Sequence, residues 1–204
     1  MTSPSRRRLT LTTLVAAFVL LAALGSRADT VEAVLTHAQS PITEDEIWVL
    51  VDDHAATLIV YRGSTEIKRF FPVSLGRGGA KSARLRGDNV TPLGEFRVNH
   101  FNHESQWHIF IGIDYPTRLH AQMALAAGVF TEQDYEAYHA YYRRHGHPPQ
   151  DTVLGGGIGI HGIGRGSPDV HSRFHWTEGC VAVTNEQIEH LAELVNIGTR
   201  VVIR

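Results

Sequence analysis

Cysteine is almost absent from this 204-residue chain, in which Cys180 stands alone. A single thiol excludes an internal disulfide and any Cys-rich zinc or iron–sulfur site. Lysine is scarce too, with Lys68 and Lys81 the only two among 19 basic residues, and the formal net charge is −2. That balance offers no broad basic surface for nucleic acid. There is no HExxH motif, no internal repeat and no low-complexity tract. At 43% hydrophobic and 20% charged, the chain is too apolar for disorder and too polar for a polytopic membrane protein. Its length suits one domain.

What is present begins with a three-part N-terminus. Arg6, Arg7 and Arg8 precede an apolar stretch from Leu9 to Leu24, and Ser26-Arg27-Ala28 places small residues at the positions a signal peptidase reads. The expectation is a secretory signal peptide over residues 1–28, cleaved after Ala28. A retained anchor is the alternative, for which the run is slightly short of the roughly 20 residues a spanning helix wants. Cleavage removes Arg6, Arg7, Arg8 and Arg27 and no acid, which takes the formal net charge from −2 to −6. Such a chain would have no stable membrane association and would reside in the periplasm. In an oxidising compartment a lone Cys180 is either a buried small hydrophobe or a reactive group.

Residues 29–46 read as a linker or short N-terminal segment, and residues 47–204 as the folded domain. Ile47–Val51, Thr57–Tyr61 and Ile67–Val73 are β-branched and aromatic runs separated by turn residues, the pattern of a β-meander. Glu95–Val98, His108–Ile113, Ile158–Ile160 and Val201–Ile203 are further strand candidates. Residues 117–150 read as a helical insertion broken near Gly128, with Thr131 and Asp134 as an N-terminal cap. Its tyrosine stripe, Tyr135 to Tyr142, reads as core or as a lid beside the site. Thr184 and Gln187 form a second capping box ahead of Ile188, Leu191, Ala192 and Val195 at helical spacing. The fold class is mainly β with α insertions, closing on a short helix and strand.

His161 and Cys180 are the candidate pair for chemistry. An imidazole can take the proton from a thiol and so generate the thiolate nucleophile. Gly179 lets backbone approach closely, and amides around Cys180 could face a developing oxyanion. Histidine pairs at short spacing (His100 with His103, His145 with His147, His171 with His175) could be read as zinc ligands. Such pairs arise readily among 13 histidines, and no metal site is expected.

The order His161, 15 intervening residues, then Thr177-Glu178-Gly179-Cys180 resembles the signature of the L,D-transpeptidase catalytic domain, the YkuD-type fold. Upstream, Gly87-Asp88-Asn89-Val90-Thr91-Pro92-Leu93-Gly94-Glu95-Phe96 resembles the G-D-x-x-T-P-x-G-x-aromatic segment of that family, and Ile160-His161-Gly162 its apolar-His-Gly strand end. The resemblance covers about residues 47–204. Glu178 stands where many members have His, and Ala182 where many have Arg or Asn. The Trp176–Asn185 string looks like a branch that includes enzymes detaching lipoprotein from peptidoglycan.

The resemblance implies a β-sandwich and a cysteine acyltransferase that needs no cofactor. Cys180 would attack a peptidoglycan stem peptide at the L-centre of meso-diaminopimelate, and His161 would act as base and then acid. The Gly162 carbonyl would orient the imidazole, the Gly179 and Cys180 amides would bind the oxyanion, and Thr177 would sit near the thiol. Arg84, Arg86, Arg165 and Arg173 could meet stem carboxylates, with Glu178 bordering the groove. An amine, water or a peptidoglycan-linked lipoprotein as acceptor, and a non-catalytic binder of peptidoglycan, remain open at this point.

Overall fold

A computed structural model describes residues 39–204. The signal-peptide expectation at 1–28 and residues 29–38 of the expected linker lie outside the described residues. Glu44–Arg204 forms a compact unit that holds every element that follows. Among the described residues no helix is long and apolar enough to cross a membrane.

The expected meander forms β1 (Ile47–Asp52), β2 (Thr57–Arg62) and β3 (Thr65–Phe70), all antiparallel. Val49, Val51, Leu58 and Val60 are buried, and Trp48 stacks on Tyr61 with ring centroids 4.7 Å apart. β3 ends at Phe70 rather than Val73 because Pro72 has no N–H to give a ladder. The short β4 (Ala80–Lys81) and β5 (Thr91–Pro92) pair in parallel and close the loop between them. β6 (Gly94–Ser105) continues well past Val98, into residues 99–105, where Phe101 is the one apolar side chain and the hydrophobic alternation fades. It hairpins onto β7 (His108–Ile113). β8 (Gly159–His161), β9 (Val181–Ala182) and β10 (Arg200–Ile203) complete the strands.

These make one eight-stranded mixed sheet in the order β3-β2-β1-β10-β6-β7-β8-β9. β1 and β10 are parallel, as are β8 and β9. β6 joins the two halves: Gly94–Arg97 pair with β10, and Val98–Ser105 pair with β7 across two register shifts. At the far edge, Ser74 and Gly76 bridge to Ala182 and Thr177, so β9 is not left open. The enclosed core includes Val49, Phe96, Ile111, Ile160, Val181, Ile188 and Val201.

Among the described residues four helices pack outside the strands: α1 (Arg118–Ala126), α2 (Glu132–His145), α3 (Pro168–Arg173) and α4 (Asn185–Leu194). The capping boxes at Thr131 and Thr184 are both formed, and α2 stops at a left-handed Gly146. Of the tyrosine stripe, Tyr138 is fully buried and donates to the Pro116 carbonyl at 2.8 Å. α3 lies between His161 and Cys180. Its Ser167 cap and Pro168 at the first turn are ordinary start signals, but six residues are too few to display a helical period.

Arg200 is the largest charged group in the core. It is 1% exposed, with Nε 2.9 Å from Glu46 and Nη1 2.7 Å from Glu95. Arg200→Met should strand these carboxylates and cost about 3 kcal/mol, the low end for breaking a buried pair. The low end is expected because Arg97 lies 3.6 Å from each carboxylate and can take up part of the charge. Urea unfolding should show a lower midpoint at unchanged slope. A loss below 1 kcal/mol would mean that Arg97 suffices.

Candidate active site

Cys180 and His161 line one groove of about 670 Å³, with Arg77, Arg84, Asn89, Trp107 and Trp176 among the other walls. The parallel pairing of β8 and β9 brings them there. His161 pairs with Ala182, and Cys180 stands two residues before Ala182, so the two side chains project from the same face of adjoining strands.

His161 is 3% exposed. Its Nδ1 lies 2.6 Å from the Gly162 carbonyl oxygen, an acceptor only, so Nδ1 carries the proton and Nε2 keeps a free lone pair. Three aromatic rings surround the imidazole, with centroids at 5.1 Å (Trp107), 5.8 Å (Trp176) and 6.3 Å (Phe110). Burial among them holds its pKa below the ordinary histidine value, against a pull upward from the Gly162 bond. Gly162 is needed for this close approach, since a Cβ there would stand 2.8 Å from the Trp107 carbonyl.

The turn before Cys180 is held by Thr177. Its hydroxyl donates to the Cys180 carbonyl at 2.6 Å and accepts from the Gly179 N–H at 3.1 Å. The Gly179 amide is therefore engaged within the turn rather than open to an oxyanion. Gly179 has φ +127, and a Cβ would fall 2.6 Å from the Val90 carbonyl, so only glycine fits. The Cys180 thiol lies 3.5 Å from the Gly157 carbonyl. Burial pushes its pKa up to about 11, opposed by a hydrogen bond with the Gly159 backbone and by the charge of Arg84. Both shifts favour a neutral imidazole and a neutral thiol.

The other expected residues separate. Arg84 and Arg86 line the groove, and Arg86 donates to the Thr152 and Gln150 carbonyls. Glu178 is exposed at the rim, 3.6 Å from Arg77. Arg165 borders an adjoining depression with His108 and Asn185 instead, and Arg173 ends the exposed side of α3. The histidine pairs have separate tasks. His171 is buried and hydrogen-bonds through Nε2 to the Pro72 carbonyl, while His175 accepts from the Leu75 N–H. Among the described residues no group of three or more His, Cys, Asp and Glu could hold a metal ion. A second cavity, about 370 Å³ and mostly apolar, lies between the 81–90 loop and α1 and contains neither Cys180 nor His161.

A model of the YkuD family, L,D-transpeptidase catalytic domain, matches residues 46–203. The chain belongs to this family. No curated protein matches it. Among solved structures, the helical cell shape determining protein Pgp2 of Campylobacter jejuni matches at 19% identity and TM-score 0.52, over 88% of this chain and 54% of that one. Bd1075 of Bdellovibrio bacteriovorus matches at 21% identity and TM-score 0.48, over 78% and 48%. An L,D-transpeptidase of Xylanimonas cellulosilytica matches at 19% and 0.45, over 85% and 68%. The chain thus spans about half the length of the first two, and the Pgp2 likeness shows the fold.

Sequence reasoning passed over the aromatic wall of this L,D-transpeptidase-family site. Trp176 stands within the motif string and could have been singled out. Trp107 offered no signal, because only the β6–β7 hairpin carries it to His161. Arg77, at the rim, was likewise hidden in a glycine-rich turn.

The same burial predicts a stability profile. His120, His161 and His171 all have lowered folded values against 6.5 in the unfolded chain. Their contribution is complete above pH 6.5 and is lost as pH falls below it, because the unfolded chain then binds protons that the folded one refuses. Cys180 (9.0 to about 11) and Tyr115 (10.0 to about 12) act oppositely, with stability present below pH 9 and lost as pH rises through the folded values. Thermal unfolding from acid to alkaline pH should give a plateau between about 6.5 and 9 with falls on both sides. A midpoint that climbs or drops steadily across that range would contradict it.

Proposed function

We propose that this chain is an exported cysteine acyltransferase that remodels peptidoglycan stem peptides in the periplasm. The observation that carries the reading is the tautomer of His161: Nδ1–H donates to Gly162, and Nε2 is free in the groove that holds the only thiol. Family membership supports the acyl-transfer class. Nε2 takes the thiol proton while the sulfur attacks the carbonyl of the L-centre of meso-diaminopimelate. The C–N bond to the following D-alanine breaks, and the imidazolium returns the proton to the leaving amine. A thioester remains on Cys180. With the Gly179 N–H engaged, the Cys180 N–H is the oxyanion donor we assign. An amine from a second stem or from a lipoprotein, or water, then opens the thioester. Arg77 and Arg86 give the groove a positive rim suited to stem carboxylates.

The test is incubation of the protein with a purified disaccharide-tetrapeptide, with Cys180→Ala in parallel, and product analysis by mass spectrometry. A Cys180-dependent cross-linked dimer establishes transpeptidation, and a tripeptide establishes water as the acceptor. If neither forms, intact sacculi carrying bound lipoprotein are the next substrate, and inertness there too would refute the proposal.

A further inference from the structure

Arg84 is buried without the partners a guanidinium requires. Its side chain is 6% exposed. Only Nη2 has a hydrogen bond, to the Glu178 carbonyl at 3.3 Å, while Nε and Nη1 are closed to solvent and unbonded. Asp88 is near but otherwise engaged. Its Oδ1 accepts from the Val90 N–H at 2.9 Å and stands 3.8 Å from Nε, too far for a hydrogen bond. Its Oδ2 accepts from the Leu85 N–H. Below the guanidinium, Cζ lies 5.5 Å from the centre of the Tyr115 ring. Above it is Gly179, whose missing Cβ would stand 3.2 Å from Cζ. Asp88 balances its charge only at 3.8 Å and through oxygens already bonded to backbone amides, so an under-bonded cation stands against the residue preceding Cys180.

We propose that Arg84 is a positioning residue whose charge, delivered through the Gly179 turn, compensates the negative charge that arises at Cys180 when its proton leaves. This rests on Cys180 being the nucleophile, as proposed above. The proton passes from Sγ to His161 Nε2, the electron pair stays on sulfur, and Arg84 remains charged throughout. The charges facing Cys180 are His161 from β8, Arg84 backed by Asp88 from the 82–90 loop, and Glu178 from its own turn. Glu178 is exposed and paired with Arg77, which leaves Arg84 as the buried cation acting on the thiol. The role differs from direct contact with a substrate carboxylate, because Nε and Nη1 are shut away from the groove's solvent.

Alkylation tests this directly, since Cys180 is the only cysteine of the chain. The sulfur displaces iodide from iodoacetamide or iodoacetate, giving a thioether and releasing a proton. In Arg84→Gln and Arg84→Met, both reagents should react roughly three- to tenfold more slowly across pH 7–9. A thiol pKa raised by about one unit cuts the thiolate fraction tenfold, and greater nucleophilicity returns part of that. Arg84→Lys, which keeps the charge, should stay within about twofold of the parent. The melting temperature of the Gln and Met variants should stay close to the parent's, because Asp88 is 30% exposed and keeps its two backbone hydrogen bonds. Unchanged rates would overturn the proposal. So would a loss confined to iodoacetate, which would mean carboxylate binding, or failure of both neutral variants to fold, which would mean a structural role. Absence of any alkylation in the native parent is a different result: it would refute the catalytic thiol itself.

Discussion

Cys180→Ala is expected to abolish covalent capture of an activated acyl group while leaving the protein folded. A carbapenem is a suitable probe, because a thiolate opens its strained lactam and retains the entire molecule. The intact mass should rise by one whole carbapenem in the parent and not at all in the variant. Turnover of a stem peptide should fall on the order of 10⁴-fold or more, as expected where a nucleophile is removed and only binding and backbone donors persist. The fold should survive because the thiol contributes little to it. The turn is held by Thr177 bonding to Gly179 and Cys180 main chain, and by Thr177 pairing with Leu75 and Arg77 backbone. None of these bonds involves sulfur. Removing Cys180 also removes a group whose burial opposes ionisation, so the alkaline fall in melting temperature should become shallower. An adduct that persists in Cys180→Ala would sink the assignment.

Much of this site was legible because its determinants are local. Thr184 and Gln187 announce α4 within four residues, and the β-branched runs of β1 and β2 carry their own period. The spacing from His161 to Cys180 could be read by resemblance, and the sheet register, with His161 level with Ala182, then places the two on one face of adjoining strands. Properties that depend on distant partners were not legible. Nothing near Arg84 in sequence says that its guanidinium is closed over by Gly179 and Tyr115, so it read like the exposed Arg165 and Arg173. The engagement of the Gly179 amide by Thr177 depends on a φ of +127, which a motif does not encode. The far half of β6 has Phe101 as its one apolar residue and is held largely by pairing with β7, so the period that reveals strands was too faint to read.

His161→Ala should slow carbapenem acylation at pH 7 by roughly a hundredfold or more, the range in which a positioned general base contributes. The reason lies in the resting charges. Burial lowers the pKa of His161 and raises that of Cys180, so the imidazolium–thiolate pair is disfavoured before a substrate arrives. In the proposed mechanism the proton would therefore move as the sulfur attacks, with the imidazole held by the Nδ1–Gly162 bond. Two consequences separate this from a pre-formed ion pair. Alkylation of the parent by iodoacetamide should keep rising with pH and show no plateau below pH 9, because the thiol pKa is pushed up to about 11. The defect of His161→Ala should shrink as pH rises, because hydroxide increasingly does the work of the missing base. A purely structural defect would persist at every pH and would appear as a lowered melting temperature, given that Trp107 and Trp176 pack on this ring. A parent rate already flat between pH 6 and 9 would mean that the thiolate is pre-formed, and the neutral resting pair would have to be abandoned.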